Sequence, residues 1–226
     1  AKVITTNMGS RLFRSFVEVN PIDTIENLYR NISNLPVSFF KNIDGSVRRN
    51  LIWTLEKGCF YRPTFLKSSK LMLKFALSEN ENYANNATNQ FFHLFRINLP
   101  GTEANLRERF ELIEYCLSNN DLKDFGFKSI DSAFKIDSFF IGGAEKQGLK
   151  KLEHYSPKKE EIIEYWTNIT KIIKKEIYEE GSNSSFCYSI LAHSFRELYR
   201  FNYEDNTLPL IEKIINEKKN DWDEMY

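Results

Sequence analysis

The stretch ENENYANNATNQFFHLF, residues 79–95, holds the densest group of side chains that could bind a cation. Glu79, Glu81 and the asparagines supply oxygen atoms, which calcium and magnesium prefer as ligands. A calcium loop also needs aspartates and a glycine at its turn, and this stretch contains neither. Asparagine side chains also close and start helices by bonding the nearby backbone. The pattern therefore favours a structural turn over a cation site. Asn80 or Asn82 would close the first helix, and Asn85 or Asn86 would cap the second.

The three histidines offer little catalytic pattern. His93 and His193 lie inside apolar helical segments, and neither has a second histidine or cysteine at i+3 or i+4 that would form a metal pair. His154 lies in a glycine-containing segment between Glu153 and Tyr155. Adjacent residues point in different directions, so these neighbours do not define a catalytic triad. We therefore expect the histidines to be structural. His154 is the strongest candidate among them for a functional role.

Phosphate-binding and nucleophile motifs are also missing from the sequence. There is no GxxxxGK[ST], no GxSxG and no CxxC, and the glycines of Ile141–Ala144 lack the lysine and hydroxyl residue of a phosphate loop. Arg48 and Arg49, together with Arg11 and Arg14, could bind a phosphate or an acidic partner. Such arginines more often lie on a solvated face or in buried ion pairs. We therefore predict no catalytic residue, no cofactor and no metal, and we expect this chain not to be an enzyme.

The elements that must position these residues are helices, because apolar residues recur at helical spacing along most of the chain. The clearest stripe runs over Ile162, Trp166, Ile169, Ile173 and Ile177, with charged residues opposite. Asn20-Pro21, Ser156-Pro157 and Thr102 are predicted helix starts. Helices are expected near 10–19, 21–33, 46–60, 63–79, 86–98, 103–118, 121–137, 157–179, 184–201 and 207–218. The fold class is therefore all-α with about ten helices, either an irregular solenoid of HEAT-like helix pairs or a multi-helix array.

One long connection, residues 139–156, interrupts this helical pattern. It contains a cluster of glycines and mixed charges that packing does not require, and long irregular loops are often functional. We predict that it is exposed and contacts a protein partner or the rest of the parent chain. The candidate interaction residues are Gly142, Gly143, Lys146, Gly148, Lys150, Lys151, His154 and Tyr155.

Composition limits the partners. Lys+Arg and Asp+Glu are each 31, so the net charge is zero and nucleic acid is an unlikely partner. No run of apolar residues is long enough for a membrane span, and the first residues lack the apolar core of an export signal. The 3 cysteines are far apart in apolar surroundings, which is typical of buried thiols in a reducing compartment. We therefore expect a cytoplasmic protein that does not bind membranes.

The length of 226 residues fits one helical domain, with a possible sub-boundary in residues 139–156. The chain begins without methionine, and its last residues, with Trp222 and Met225, have the pattern of an amphipathic turn that is just starting. We expect it to be a segment cut from a longer polypeptide.

Several segments in order resemble the helical regions of large bacterial proteins that carry a STAND-type NTPase or another effector domain. They are VEVNPIDTIENLYRNI, RRNLIWTLEKGCF, ENENYANNATNQFFHLF, INLPGTEANLRERFELIEY and IGGAEKQGLKKLEHYSPKKEEIIEYW. Many such proteins act in anti-phage defence. The resemblance covers roughly residues 10–180 and implies a helical scaffold without catalytic residues.

The sequence thus predicts a non-catalytic scaffold or sensor that contacts a protein partner or other domains of its parent chain. Two alternatives remain at this point. A helical enzyme would need acidic and histidine side chains that converge in one pocket, and an RNA-binding solenoid would need a basic concave face.

Overall fold

A computed structural model of the chain describes residues 2–136, 144–201, 203 and 206–217. Within these residues the fold is all-α, as the sequence predicts, with eleven helices and one small antiparallel hairpin. The helices are α1 Asn7–Val19, α2 Pro21–Ile32, α3 Val37–Lys41, α4 Gly45–Phe60, α5 Phe65–Leu77, α6 Ala87–His93, α7 Leu106–Leu117, α8 Lys123–Ala133, α9 Lys159–Tyr178, α10 Ser184–Arg200 and α11 Leu208–Glu217. The strands are β1 Lys146–Gln147 and β2 Lys150–Lys151.

The chain divides into two compact units. The first comprises Ala1–Leu112 with Ser138–Ser156, and the second comprises Ile113–Asp137 with Pro157–Tyr226. The boundary at residue 156 falls at the end of the irregular connection. The first unit contains α1 to α6 and the hairpin, and the second contains α8 to α11, whereas α7 has turns in both.

The core of the first unit forms where α4 packs against α1 and α5, and α5 packs against α6. Gly58 allows this close approach, because a Cβ at that position would lie 2.3 Å from the Ser68 hydroxyl oxygen and 2.6 Å from a methyl group of Ile25. Phenylalanines fill much of the space between the helices. Phe40, Phe60, Phe65, Phe75, Phe91 and Phe95 are all fully buried.

The core of the second unit forms around α9 and α10, which pack together. The predicted stripe of α9 is confirmed, since its five members are buried. Trp166 at its centre is inaccessible to solvent, and its indole N–H donates to the carbonyl of Ala133 at 3.1 Å. The ring contacts Phe134 and Tyr203 at centroid distances of 5.8 Å each. The predicted burial of the three cysteines is also confirmed.

Two helices begin later in the chain than the sequence predicts, because local hydrogen bonds cap them at other residues. The predicted cap Thr102 is wrong, because α7 begins at Leu106, where Asn105 and Glu108 accept from each other's backbone N–H at 2.9 and 2.8 Å. The predicted start at Pro157 is also wrong. The backbone N–H of Lys158 donates to Glu161 at 2.8 Å, and α9 begins at Lys159. By contrast, Asn20 caps α2 as predicted by accepting from the N–H of Asp23 at 3.1 Å.

Short elements escaped sequence analysis. Helix α3 has 5 residues and the strands have 2 each, which is too short to show a period. The predicted helix 86–98 ends at His93. None of the helices within the described ranges combines the length and apolarity needed to cross a membrane.

Candidate interaction surface

The predicted interaction segment folds, over its described residues, into a hairpin that we define as residues 146–151. Lys146 pairs with Lys151 and Gln147 with Lys150. The two-residue turn is Gly148-Leu149, where Gly148 has a φ of +60°, a conformation that favours glycine. The side chain of Leu149 is fully exposed at the tip. Of the predicted interaction residues, Lys146, Gly148, Lys150 and Lys151 lie exposed on this hairpin, whereas Gly142 and Gly143 lie outside the described residues.

Two side chains connect the hairpin to the helices. Gln147 is buried, and its amide N–H donates to the carbonyl of Lys57 in α4 at 2.8 Å. The Lys57 ammonium donates in return to the carbonyl of Lys146 at 3.0 Å, and it forms an ion pair with Glu18 of α1 at 2.7 Å. These bonds fix the base of the hairpin and leave its tip exposed.

His154 and Tyr155, two further predicted interaction residues, are partly enclosed. The Nδ1 atom of His154 accepts from the N–H of Gly101 at 3.2 Å, and its ring stands edge-on to Phe60 at 4.9 Å. The N–H of Tyr155 donates to the carbonyl of Thr102 at 2.9 Å. Both residues therefore hold the end of the segment against Phe60 and the backbone of Gly101 and Thr102, and less of their surface is exposed than that of the hairpin lysines.

A second apolar surface lies on α1, which we call the α1 stripe and define as Met8, Leu12, Phe16 and Val19. Their exposed fractions are 76%, 43%, 51% and 83%. An α-helix turns about 100° per residue, so these four side chains span only about 80° of its circumference. The opposite side of α1 is buried through Ser10 and Val17. Helix α1 thus has an apolar face beyond the one that packs into the core.

The α1 stripe and the hairpin tip are neighbours. Strand β1 packs on α1, and a Cβ at Gly148 would lie 3.0 Å from the carbonyl oxygen of Glu18. Val19 follows Glu18 and Leu149 follows Gly148, so two exposed apolar side chains extend from adjoining backbone. The stripe and Leu149 together form one candidate interaction surface.

Sequence analysis marked the segment that contains the hairpin, without predicting its strands, and it missed the α1 stripe. A helix was predicted at 10–19, but its apolar residues were not divided between two faces. The sequence contains the pattern of a helix with two apolar faces. The apolar residues 8, 12, 16 and 19 lie on one side of the helix, and the apolar residue 17 lies on the other. An apolar band wider than one packing partner needs is typical of a helix with a second partner.

A polar cluster lies beneath the hairpin segment, around a cavity lined by Glu56, Cys59, Gln90 and His93 with Ala144. Burial raises the pKa of Glu56 to about 7, helped by the negative charge of Glu145 and opposed by Lys57 and Gln90. Burial also lowers the pKa of His93 and raises that of the Cys59 thiol. The cavity measures about 10 Å³, the room of about one water molecule. It brings an acid and a histidine together around that space.

The acidic stretch after α5 is a structural turn. Arg48 is fully buried, and its guanidinium donates to Glu79 at 3.1 Å and to the carbonyls of Phe40 and Phe75 at 3.1 and 2.7 Å. Glu79 also accepts from the backbone N–H groups of Asn80, Glu81 and Thr88. The buried ion-pair interpretation of Arg48 is confirmed. Within the described residues no group of three acidic, histidine or cysteine side chains is placed to hold a metal ion.

The caps of this turn are partly as predicted. Asn86 accepts from the N–H of Asn89 at 2.9 Å and caps α6, which confirms one of the two candidates. Asn80 and Asn82 do not close α5, because the helix ends at Leu77 with Ser78 as its cap. The Asn80 amide donates instead to the carbonyl of Lys41 at 3.2 Å.

Comparison with protein-family models, curated proteins and solved structures finds no match. The resemblance to helical regions of STAND-type proteins therefore stays a prediction. The fold defines an all-α protein, and the features of this chain that bear on its function are those of its own surface.

Proposed function

We propose that this chain is a non-catalytic scaffold or sensor segment that binds protein through the α1 stripe and the hairpin tip. The observation that carries the proposal is the exposure of four apolar side chains on one face of a helix whose other face already packs into a core. We further propose, following the resemblance, that the segment belongs to a larger cytoplasmic bacterial protein of the anti-phage defence kind.

Exposure of this extent requires a reason. Single apolar residues are common on protein surfaces, but a contiguous apolar patch more often marks an interaction site. Met8 and Val19 lie at opposite ends of α1 and expose more than three quarters of their surface, and Leu149 adds a fully exposed side chain at the hairpin tip. Covering these groups with a partner would remove their apolar surface from water, which is favourable.

The charges around this surface support a protein partner. Three exposed lysines, Lys146, Lys150 and Lys151, lie on the hairpin that carries Leu149, and Glu18 precedes Val19 in α1. An apolar centre with charges of both signs at its edge is the usual composition of a protein interface. The base of the hairpin is fixed through Lys57, so a partner would meet a preformed surface and little ordering entropy would be lost.

The buried cluster supports a non-catalytic role. Glu56 and His93 meet at a cavity with room for about one water molecule. The pKa of Cys59 is raised by burial, so its thiol does not ionise readily and is a poor nucleophile. These groups are suited to internal packing and hydration.

Site-specific photo-cross-linking in the producing cell tests the proposal. A photoreactive phenylalanine analogue would replace Phe16 in one variant and Tyr178 in a control, since Tyr178 is also exposed and lies at the end of α9. We expect a discrete protein adduct at position 16 and none at position 178. Equal labelling at both positions, or no protein adduct at position 16, would overturn the proposed function.

A further inference from the structure

The four arginines that could bind a phosphate or an acidic partner have different positions in the folded chain. Arg48 is buried in its ion pair with Glu79. Arg11 and Arg14 of α1 and Arg49 of α4 are exposed instead. Within the described residues, none of these three forms an ion pair with a carboxylate group. Their charges are therefore available to a ligand.

Helices α1 and α4 lie side by side and run in the same direction. Four contacts join residues that are 39 or 40 positions apart: Asn7 with Ser46 at 3.3 Å, Ser10 with Asn50 at 3.2 Å, Arg14 with the Trp53 ring at 4.0 Å, and Glu18 with Lys57 at 2.7 Å. Because this separation is nearly constant, the two helices share one continuous surface along their contact.

Two aromatic rings lie among the three exposed arginines on this surface. The Arg14 guanidinium stands 4.0 Å from the centroid of the Trp53 ring, and the Arg49 guanidinium stands 5.4 Å from the centroid of the Tyr83 ring. Arg11 is one helical turn from Arg14, and Arg49 is one turn from Trp53, so each pair consists of neighbours on its helix. We call these residues the arginine patch and define it as Arg11, Arg14, Arg49, Trp53 and Tyr83.

The acidic residues beside the arginine patch have other partners. Glu18 forms its ion pair with Lys57, and Glu81 lies 3.8 Å from the buried Arg48 guanidinium. Asp44 lies at the N-terminus of α4, where the helix dipole offsets part of its charge. The expectation that nucleic acid is an unlikely partner rests on the zero net charge of the whole chain, whereas binding depends on the potential at the site.

We propose that the arginine patch binds single-stranded nucleic acid, with the guanidinium groups on its phosphates and the aromatic rings against its bases. Guanidinium groups match phosphate oxygens in charge and geometry, and aromatic rings stack on bases of any sequence. Bases also stack on guanidinium planes, so Arg14 over Trp53 extends the stacking surface. An acidic peptide would satisfy the charges and leave the rings without a stacking partner.

This binding surface is separate from the α1 stripe and goes beyond the proposed function. Arg11 and Arg14 lie roughly 60° and 120° around α1 from Met8, the nearest member of the stripe. Three phosphate contacts predict weak binding that depends strongly on salt. The logarithm of the binding constant should fall with the logarithm of the salt concentration with a slope of about −2, at about −0.7 for each phosphate on a single strand.

Fluorescence anisotropy with short labelled oligouridine and oligothymidine at low salt tests the proposal. The wild type should bind, and comparison of the two oligonucleotides shows whether RNA or DNA is preferred. Each of Arg11→Gln, Arg14→Gln and Arg49→Gln should reduce the steepness of the salt slope by about 0.7, and the triple variant should not bind. Arg107→Gln is the matched control, because it removes the same charge from an 88% exposed side chain outside the patch and should leave the affinity unchanged.

Trp53→Leu separates stacking from charge. It should weaken binding by roughly 5- to 100-fold, the range for the loss of one stacked base, and leave the salt slope unchanged. Circular dichroism and a thermal melt establish that the variant is folded, and Tyr83→Leu serves as a second stacking variant. Wild-type affinity in both aromatic variants would overturn the proposal, because bases would then not stack on these rings.

Three further results would overturn the nucleic-acid site. The first is no binding of either oligonucleotide at low salt, and the second is an equal effect of the triple variant and Arg107→Gln. The third is tighter binding of a polyglutamate peptide than of either oligonucleotide, lost in the triple variant, which would assign the patch to an acidic protein. A position-16 adduct that persists in the triple variant would leave the proposed function standing whatever the oligonucleotides show.

Discussion

At the scale of single residues, Arg48 is the residue on which the acidic turn depends. Its buried guanidinium joins the Glu79 carboxylate to the carbonyls of Phe40 in α3 and Phe75 in α5. A charge this deeply buried is tolerated because it is paired and hydrogen-bonded. The arrangement explains why carboxylates that looked available for a cation are already used inside the protein.

Replacing Arg48 by alanine should therefore destabilise the first unit. Removing one partner of a buried ion pair typically costs about 3–5 kcal/mol, because the other charge is left without compensation. Arg107→Ala is the control, since the Arg107 side chain is 88% exposed and its loss should change the free energy of unfolding by about 0.5 kcal/mol or less. Urea unfolding of both variants measures the difference. Equal stability of the two would show that Arg48 is not the centre of the turn.

Glu56 gives the protein a predictable dependence on pH. Its pKa is about 7 in the folded protein and 4.5 ordinarily, so the native state holds a proton that the unfolded chain has released. Stability from this group therefore falls as pH rises from about 4.5 to about 7, and the full loss, about 3 kcal/mol, is present above that range. Glu56→Gln should raise the free energy of unfolding at pH 8 and change it little near pH 4.5.

The control for this prediction is Glu153→Gln, which alters an exposed glutamate. The difference in the free energy of unfolding between each variant and the wild type, taken at each pH, isolates the contribution of Glu56. His93 and His154 are present in all three proteins, so their contributions cancel. Their lowered pKa values act in the opposite direction, since stability from these histidines is lost as pH falls. A pH profile of Glu56→Gln that runs parallel to the wild type would contradict the burial of this carboxyl.

At the scale of elements, α9 has the most complete apolar stripe. Trp166→Ala should cost about 3–5 kcal/mol, because it removes a fully buried ring and leaves a cavity among aromatic neighbours. That is a large part of the roughly 5–15 kcal/mol that holds an ordinary domain together. Tyr178→Ala on the same helix alters an exposed side chain and should be nearly neutral. A thermal melt distinguishes them, and a near-native melting temperature for Trp166→Ala would place the stripe outside the core.

The long helices could be predicted because their apolar faces repeat over several turns, as in α9 and α10. Helix α3 could not, since five residues complete little more than one turn. The predicted starts of α7 and α9 were misplaced because the local sequence offers a second capping residue at each start. Asn105 caps α7, and Glu161 accepts from the N–H of Lys158 before α9. Caps are decided by which backbone N–H lacks a partner, and sequence does not show this.

The candidate surface was half predictable for a related reason. Glycines and charges marked the hairpin segment, because turns demand particular residues. Neither the enclosure of His154 nor the exposure of the α1 stripe could be read from the sequence, since both depend on which distant segments pack nearby. The same limit applies to Glu56 and His93, which are far apart in the chain and meet only in the folded first unit.

At the scale of the whole molecule, the claim is that α1 uses one face for folding and another for binding. Val17 and Val19 offer a matched pair, because they are the same residue type two positions apart, fully buried and 83% exposed respectively. Val17→Asp should cost several kcal/mol by burying an unpaired charge. Val19→Asp should stay within about 0.5 kcal/mol of the wild type. Urea unfolding in dilute solution measures both, and a large loss in Val19→Asp would assign the stripe to the core.

The most direct test combines that folded variant with the cross-linking experiment. The yield of protein adduct from the photoreactive analogue at position 16 would be compared between the wild-type background and Val19→Asp. The binding role predicts a clear adduct in the wild type and a strongly reduced yield in Val19→Asp at unchanged stability. An undiminished yield in Val19→Asp, or no adduct in either background, would contradict the claim that the α1 stripe binds protein.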